Sequence, residues 1–250
     1  MHELALFAGA GGGILAGRLL GWRTIAACEI EPYPRSVLLA RQRDGILPHF
    51  PIWDDIRTLD GTPFRGHIDI VTGGFPCQDI SAAGKGAGIT GTRSGLWTEM
   101  HRIIREIRPT YEFMENSPML TTRGLGHVLA DLASSGYHAA WIVLGASDLG
   151  APHHRKRIWI LARHAANTHS PQHAGNGMPL RPAQEIPRPR HTSRHRFPRN
   201  PWAIEPHLDR VAHGVASRVD RLRAIGNGQV PLVAATAFQI LKQRLDNIQS

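Results

Sequence analysis

Short apolar runs alternate with segments of helical periodicity from the first residues to about residue 163. This alternation predicts a mostly parallel sheet with crossover helices, because parallel strands can be joined only through a long connection. The apolar runs predict strands at residues 4–7, 24–28, 68–72, 111–114, 139–144 and 158–161. Apolar residues at helical spacing predict helices at residues 14–20, 96–107 and 231–245. The chain is therefore expected to have an α/β fold.

The composition changes at His164. From there to about Pro206 the sequence is rich in Pro, Arg, His and Asn, and its apolar residues follow no sustained period. Such a stretch favours a small loop-rich insert over a helix or a strand. We expect a main domain at residues 1–163, the insert at residues 164–209, and a C-terminal segment at residues 210–250 that returns to the main domain.

Positive charge dominates the sequence. It has 29 Lys and Arg residues against 20 Asp and Glu residues, which gives a formal charge of +9. The only lysines are Lys85, Lys156 and Lys242, so arginine carries almost all of the excess. Arginine forms bidentate contacts with phosphates and with guanine edges, and the charge therefore favours a nucleic-acid partner.

The chain has two cysteines, Cys28 and Cys77, which are too few for a disulfide framework or a paired-cysteine zinc site. No apolar run reaches the roughly 18 residues that a membrane span needs. The N-terminus lacks the charged start and the cleavage site of a secretory signal. We therefore expect a folded cytoplasmic protein without a membrane segment.

A glycine cluster follows the first predicted strand, at Gly9 and in the run of three that begins at Gly11. Glycines at a strand-to-helix turn let the backbone approach a ligand closely at a helix N-terminus. Glu29 ends the next strand, where a carboxylate accepts hydrogen bonds from both ribose hydroxyls. The pattern favours a nucleoside-containing cofactor without naming it, because residues 11–16 also satisfy the dinucleotide pattern. The alternative is a tight glycine turn that holds no ligand.

Cys77 stands just beyond a predicted buried strand, after the sequence Gly-Gly-Phe-Pro. At that position it would face the crevice at the carboxyl edge of the sheet. A basic, phosphate-binding cleft favours the thiolate that a nucleophile needs. The alternative is an inert buried thiol, which is the commoner state of a single free cysteine. Cys28, inside an apolar run, is interpreted as such a core residue.

The residues around Cys77 resemble the catalytic loop of the DNA (cytosine-5) methyltransferases. The sequence there is Gly74-Phe75-Pro76-Cys77-Gln78, followed by Ser81. Further segments are similar to motifs of the same family and follow in the family's order. They are residues 7–12 (cofactor loop), 29–31 (ribose-binding strand end), 55–56 (adenine contact), 92–97 (segment after the catalytic loop), 115–116 (Glu-Asn signature), 155–157 (paired arginines) and 226–231 (last motif). The resemblance covers residues 3–163 and about 210–245.

The resemblance implies a Rossmann-like methyltransferase fold, S-adenosyl-L-methionine as the methyl donor and double-stranded DNA as the substrate. It assigns Cys77 as the nucleophile that adds to C6 of cytosine. Glu115 would hydrogen-bond the N3 and N4 edge of the base and offset the charge that builds on N3. Arg155 and Arg157 alternate along a predicted strand, so we expect both side chains on one face, near the base. The base must be flipped out of the duplex to reach these groups.

By the same resemblance, the cofactor pocket would be formed by residues that follow the first strands and by two positions later in the chain. They are Phe7, Gly9, Gly11, Glu29, Ile30, Asp55, Leu96 and Asn227. Ile30 would pack on the adenine, and Asp55 would accept from its amino group, with Asp54 as the competing residue. For Phe7, Ile30 and Leu96, a plain core role is the alternative.

Two positions depart from the family pattern: His153 stands where the family has Gln, and Ser117 where an apolar residue is more usual. The insert at residues 164–209 would be an unusually short target-recognition region. Ten arginines between residues 181 and 223 are opposed by four acids, which predicts phosphate and groove contacts, with a poorly ordered basic loop as the alternative. Glycine-rich residues 82–91 predict a loop that closes over the flipped base. The histidines of the insert lack the spacing of zinc ligands, so we expect no metal.

Three other functions stay open from the sequence: an RNA (tRNA) cytosine-5 methyltransferase on the same fold, a degenerate DNA-binding relative without activity, and a nicotinamide oxidoreductase. The presence of Cys77, Glu115 and Arg157 argues against the degenerate relative. An oxidoreductase would leave the Pro-Cys turn and the paired arginines unexplained. We therefore expect a small monomeric DNA methyltransferase of bacterial or phage type. The sequence leaves open whether a companion restriction endonuclease accompanies it or whether it is an orphan or phage enzyme.

Overall fold

The computed structural model describes residues 1–76, 95–166 and 218–247. Seven strands lie in these ranges: β1 (His2–Leu6), β2 (Arg23–Cys28), β3 (Ile52–Trp53), β4 (Ile70–Gly73), β5 (Tyr111–Asn116), β6 (Tyr137–Leu144) and β7 (Arg157–His164). They form one sheet in the order β3-β2-β1-β4-β5-β7-β6.

Most neighbouring strands of the sheet are parallel, and the exception is β7, which runs antiparallel between β5 and β6. The strand order moves outward from β1 to β3 and resumes with β4 on the other side of β1. Open α/β sheets bind their ligands at such a reversal, beyond the carboxyl ends of the strands. Because β7 runs the opposite way, its first residues lie at this same edge.

Helices cover both faces of the sheet. In the described residues they are α1 (Gly12–Leu19), α2 (Pro32–Arg43), α3 (Leu96–Ile107), α4 (Leu120–Arg123), α5 (Leu125–Ser134), α6 (Arg218–Asn227) and α7 (Pro231–Asn247). Helices α3 and α5 cover one face, and α1 and α7 cover the other. The site at the carboxyl edge therefore stands on a sheet that is packed from both sides.

Helix α3 shows why the sequence folds in this way. Its apolar residues recur every three to four positions and form one buried stripe: Trp97, Met100, Ile103, Ile104 and Ile107. None of these side chains is more than 1% exposed. Each buried side chain of this size stabilises the fold by about 1.5–3 kcal/mol relative to an exposed one. The stripe fixes α3 on the sheet and, with it, the start of the helix at the carboxyl edge.

The α/β expectation is confirmed, and every predicted strand is present with its ends shifted by up to three residues. The sequence pattern missed the short strand β3 and the helices α2, α4, α5 and α6. Helix α2 begins with Pro32 and Pro34 and buries only Leu38 and Gln42, so it carries almost no apolar stripe. Proline is nevertheless tolerated in a first helical turn, where its missing N–H would have no partner.

Most of the predicted insert, from residue 167 onward, lies outside the described residues, which resume at residue 218. Strand β7 ends at His164, one residue beyond the expected boundary of the main domain. Among the described helices, none has the length and apolar character needed to cross a membrane.

Candidate active site

A carboxylate and a guanidinium meet at the carboxyl edge of the sheet, where β5 ends and β7 begins. Glu115 Oε1 lies 2.7 Å from Arg157 Nε. Glu115 is only 8% exposed. Burial raises the pKa of Glu115 above its ordinary value, although Arg157 and Arg155 oppose the rise. A desolvated carboxyl beside a cation can hold a proton at a substrate atom near neutral pH.

Arg155 does not lie on β7, so the expectation that Arg155 and Arg157 alternate along one strand is wrong. Arg155 precedes the strand and has a left-handed φ of 29°. Its guanidinium donates to the carbonyl of Gly226 at 2.8 Å and to the carbonyl of Gly228. Burial lowers the pKa of Arg155, and Arg157 adds to the lowering. The two arginines thus flank Glu115 because a loop ties the start of β7 to the turn before α7.

The turn that follows β4 is held by the residue after Glu115. Asn116 Nδ2 donates to the carbonyl oxygen of Phe75 at 3.1 Å, and Asn116 Oδ1 accepts from the N–H of Ser117 at 2.8 Å. These two bonds fix the orientation of the amide, since its donor and its acceptor are both used. Asn116 belongs to the Glu-Asn motif, but no sequence pattern predicted its contact with Phe75. Cys77 follows two residues after Phe75 and lies outside the described residues, as does the predicted loop at residues 82–91.

Glu29, at the end of β2, anchors the glycine loop that follows β1. Its Oε2 accepts from the N–H of Gly9 at 2.6 Å, and its Oε1 accepts from the N–H of Glu31 at 2.8 Å. Burial raises the pKa of Glu29, while the bonds from Glu31 and Gly9 oppose the rise. Glu31 also binds Arg223 Nη2 at 3.2 Å, which ties this edge to α6. The carboxylate therefore stands where a ribose could bind, with its position already fixed.

Three residues of the glycine loop have a left-handed backbone: Phe7 with φ 50°, Gly9 with φ 55° and Gly11 with φ 92°. A β-carbon at Gly9 would meet no atom within 4 Å, so the space beside this loop is open to a ligand. Phe7 adopts a conformation that bulky side chains rarely take, and such strain is concentrated at ligand-binding loops. Gly11 directly precedes α1, so the loop leads into a helix N-terminus.

Two large apolar side chains stand exposed at the ends of neighbouring strands. Ile30 is 53% exposed and Trp53 is 48% exposed. The alternative interpretation of Ile30 as a plain core residue is therefore wrong. Ile30 follows β2, and Trp53 ends β3, which pairs with β2. A flat apolar ligand such as adenine would cover both side chains. Trp53 is therefore a further candidate for the cofactor pocket, although no sequence motif singled it out. The available signal was an aromatic residue directly before the Asp-Asp pair.

The two acids after β3 differ in their surroundings. The carboxylate of Asp55 accepts from the backbone N–H of Arg57 at 3.0 Å and from its Nη2 at 2.6 Å. These bonds from Arg57 lower the pKa of Asp55. The side chain of Asp54 is 69% exposed, and the nearest cation, on Arg35, is 4.0 Å away. The Asp55 carboxylate already accepts hydrogen bonds within its own turn. Which of the two acids accepts from the adenine stays a prediction.

The other predicted cofactor residues lie at different depths. Leu96 begins α3 and is partly buried against the apolar core, as is Phe7. Leu96 and Phe7 therefore contribute to the apolar core, which was the alternative interpretation of both residues. Asn227 is exposed at the end of α6.

Gln229 fills the gap between the glycine loop and the buried carboxylate. A β-carbon at Gly12 would lie 2.4 Å from the carbonyl oxygen of Gln229, and one at Gly13 would lie 2.8 Å from its Oε1. A β-carbon at Gly74 would lie 3.4 Å from Gln229 Nε2 and 2.8 Å from Glu115 Oε2. The three glycines are therefore needed for this close approach, which the sequence analysis did not foresee.

The family model for C-5 cytosine-specific DNA methylases matches residues 1–210 of the chain. The chain belongs to this family.

Curated relatives support the same family membership. The chain is 34% identical over 163 residues to the Type II methyltransferase M.CviJI of Paramecium bursaria Chlorella virus IL3A, a match that covers 64% of the chain and 42% of the relative. The match to the Type II methyltransferase M2.BsuMI of Bacillus subtilis strain 168 is 34% identical and covers 65% and 42%. The match to the Type II methyltransferase M.NgoBI of Neisseria gonorrhoeae is 35% identical and covers 62% and 48%. The chain spans less than half the length of these relatives.

Solved structures share the fold of the chain. The crystal structure of a Spodoptera frugiperda DNMT2 variant has a TM-score of 0.54 at 21% identity, over 67% of the chain and 51% of that structure. The S. pombe Dnmt2 methyltransferase has a TM-score of 0.52 at 21% identity, over 66% and 49%. These likenesses bear on the fold alone, and they confirm the predicted methyltransferase fold.

Proposed function

We propose that the chain transfers a methyl group from S-adenosyl-L-methionine to C5 of a cytosine flipped out of double-stranded DNA. The observation that carries this proposal is the ion pair of the buried Glu115 with the partly buried Arg157, 2.7 Å apart. Glu115 ends β5, which pairs with β4, the strand that leads to Cys77. Membership of the cytosine-5 DNA methylase family supports both the reaction class and the DNA substrate.

The proposed chemistry begins at Cys77. Its thiolate Sγ adds to C6 of the cytosine, and the electron pair of the C5–C6 double bond makes C5 nucleophilic. Glu115 holds the charge that develops at N3, and its raised pKa supports this role because a protonated carboxyl can donate there. C5 then takes the methyl group as the methyl–sulfur bond of the sulfonium breaks, which leaves a neutral thioether. Loss of the C5 proton to solvent, return of the N3 proton to Glu115 and cleavage of the C6–Sγ bond restore the ring and release the thiolate.

Positioning residues hold this arrangement together. Asn116 fixes the carbonyl of Phe75 and thereby the turn that precedes the nucleophile. Arg157 balances the charge of Glu115 and is close enough to contact the base at O2 when the base lies against that carboxyl. Because both residues belong to paired strands, the base would meet a preorganised set of polar groups.

The cofactor loop fits S-adenosyl-L-methionine, which when bound supplies an electrophilic methyl group on a sulfonium. Glu29 is placed to accept from the ribose hydroxyls, with its carboxylate already oriented by Gly9 and Glu31. Ile30 and Trp53 offer an exposed apolar wall for the adenine. The open space beside Gly9 leaves room for the amino-acid part of the cofactor.

Double-stranded DNA would be bound through arginines. Ten of them lie between residues 181 and 223, six in the insert proposed for target recognition (residues 164–209) and four after it. Arginine contacts to phosphates orient a duplex, while contacts in the grooves read its sequence. The Type II names of the relatives support a role in restriction and modification, and we propose that a companion restriction endonuclease shares the target sequence.

The decisive experiment is to express the chain in a methylation-free strain and to map 5-methylcytosine across the DNA. We expect methylation at one short sequence and none in a Cys77→Ala variant. In vitro, a duplex with 5-fluorocytosine at that sequence should become covalently attached to Cys77 when the donor is present. An active enzyme that forms no adduct would reject the covalent mechanism. Preferential methylation of tRNA in a direct competition would replace DNA by RNA as the substrate.

A further inference from the structure

A second pocket opens at the amino edge of the sheet, opposite to the candidate active site. It encloses about 880 Å³ and is lined by residues from the end of α3, the start of β6 and the end of β7. Tyr111 begins β5 at this edge, and Glu115 lies four residues further along the same strand. At about 3.3 Å per residue, the strand separates the two sites by about 13 Å. The pocket is therefore distinct from both the cofactor loop and the catalytic carboxylate.

The lining of this pocket carries an excess of positive charge. Arg65, Arg105 and Arg108 all line it and are exposed, and none of them has a carboxylate partner in the part of the chain that the structure describes. Arg102 also lines the pocket, but it is neutralised by Glu99 and Glu106, at 2.9 and 2.8 Å. Three arginines that have no carboxylate partner among the described residues therefore line the pocket.

The polar groups of the pocket are held in place before any ligand arrives. Arg65 donates from Nε to the carbonyl of Glu106 at 2.8 Å and from Nη2 to the carbonyl of Arg105 at 3.2 Å. These bonds use two of its five N–H donors and leave the others for a ligand. His101 Nε2 lies 2.8 Å from the hydroxyl oxygen of Ser135, so this ring is also fixed at the pocket wall.

All three arginines also stabilise the C-terminal end of α3. Arg105 and Arg108 lie at that end, where cations offset the negative end of the helix dipole, and Arg65 caps its last carbonyls. Helix capping alone does not explain the concave space that the three arginines share. Small-molecule sites typically enclose about 300–1,000 Å³, and the pocket lies in this range.

We propose that this pocket binds a small phosphorylated ligand with two or more phosphate groups, of the class of nucleoside di- and triphosphates. Guanidinium groups bind phosphate oxygens in a bidentate manner, and three of them match the three to four negative charges of such a ligand. The pocket is only partly enclosed, but its volume of about 880 Å³ suits a compact ligand better than a DNA duplex, which needs an extended surface.

The test is isothermal titration of the full chain with inorganic tripolyphosphate and, separately, with ATP. We expect both to bind, and we expect the Arg105→Gln/Arg108→Gln variant to bind at least 10-fold more weakly. Arg43→Gln is the matched control, because Arg43 is likewise an exposed arginine in the last turn of a helix, α2. This control should bind as the unmodified chain does. Tighter binding of ATP than of tripolyphosphate would show that the nucleoside adds contacts.

Several outcomes would overturn the proposal. Absence of binding would do so, as would equal affinity of the double variant, which would place the anion elsewhere, for instance among the arginines between residues 181 and 223. A short duplex that displaces tripolyphosphate and also depends on Arg105 and Arg108 would make the pocket a nucleic-acid surface instead. Should the double variant fail to fold, Arg105→Gln alone gives the same comparison, because Arg105 is exposed. Shifts of the imidazole signals of His101 and His164 on adding tripolyphosphate would locate the site independently.

Discussion

Arg157 binds Glu115 diagonally across an antiparallel pair of strands. Strand β5 pairs with β7 so that Glu115 lies opposite Trp159, and Arg157 is two residues earlier on β7, on the same face. The 2.7 Å contact thus joins the C-terminal end of β5 to the first residue of β7. The pair is set by the register of a sheet rather than by a flexible loop, and this has consequences that can be measured.

Replacing the carboxyl of Glu115 should impair the chemical step. Glu115→Gln keeps the shape of the side chain but cannot supply a proton or balance Arg157. We expect kcat to fall by about 10²–10⁴-fold, the usual range for loss of a general acid or base, while affinity for the donor is retained. Single-turnover methylation assays and donor titrations measure the two quantities. Glu99→Gln, which alters a half-buried carboxyl on α3, is the control and should keep full activity.

Glu29 should act on cofactor binding. Its carboxylate accepts two backbone N–H bonds, and Glu29→Gln leaves only one acceptor oxygen. Hydrogen bonds to a charged group contribute about 1.5–3 kcal/mol, so we expect affinity for S-adenosylhomocysteine to fall by about 10–100-fold. Calorimetric titration gives this value directly. Unchanged affinity would exclude Glu29 from the cofactor site.

Asn116 should act on the reaction without acting on the cofactor. Asn116→Asp replaces the donor that binds the Phe75 carbonyl by a second acceptor. Leaving a buried carbonyl without its partner costs about 1–3 kcal/mol, so kcat should fall by about 10–100-fold at unchanged donor affinity. Ser117→Ala is the control, because Ser117 contacts Asn116 only through its backbone N–H. An equal loss in both variants would contradict the positioning role.

Gly12 and Gly13 should respond differently to alanine. A methyl group at Gly12 would meet the backbone carbonyl of Gln229, whereas one at Gly13 would meet the end of its flexible side chain. We expect Gly12→Ala to lower the free energy of unfolding by about 1–3 kcal/mol and Gly13→Ala to change it by less than about 1 kcal/mol. Denaturant unfolding measures both. Rescue of Gly12→Ala by Gln229→Ala would show that the clash is with the side chain instead.

Glu112 should make stability depend on pH. It is fully buried, and no hydrogen bond of ordinary geometry reaches either carboxyl oxygen from the described residues. Burial raises the pKa of Glu112 well above its ordinary value, although the nearby Tyr137 hydroxyl opposes the rise. Between the unfolded and folded pKa values the folded state binds more protons, so stability is greatest below the unfolded pKa and is lost as pH rises through the folded pKa.

Glu112→Met removes the buried carboxyl group and, with it, the free-energy cost of ionising that group in the folded state. We expect the variant to exceed the unmodified chain in free energy of unfolding by about 1–3 kcal/mol at pH 8, and by less at pH 5. Unfolding in urea at the two pH values measures the difference. A gain of equal size at both values would mean that packing, and not ionisation, is responsible.

The sequence predicted those parts of the fold whose residues carry a regular apolar pattern. Helix α3 was predicted with its observed bounds because its buried stripe is complete. The antiparallel direction of β7 could not be predicted, since an apolar run is the same in either direction. This is also why Arg155 was misplaced: its left-handed backbone depends on the turn at Gly226 and Gly228, which is distant in sequence.

In the candidate site, too, some residues could be predicted from the sequence and others could not. Glu115, Arg157 and Glu29 were predicted because they carry motifs that can be identified in the sequence. The contact of Asn116 with Phe75 and the place of Gln229 beside three glycines depend on tertiary packing, which no local pattern encodes. The role of Cys77 and the monomeric state stay predictions.

The antiparallel pairing of β5 with β7 should give the charged pair the slow opening of a buried ladder. The ladder runs from Tyr111 and Arg163 at one end to Asn116 and Ile158 at the other, and it is buried over most of its length. Amide protons of such strands exchange with solvent only when the whole domain unfolds. Binding of a base would therefore remodel the surrounding loops around a rigid guanidinium and carboxylate, and deuterium uptake should fall in those loops while the ladder stays as protected as before.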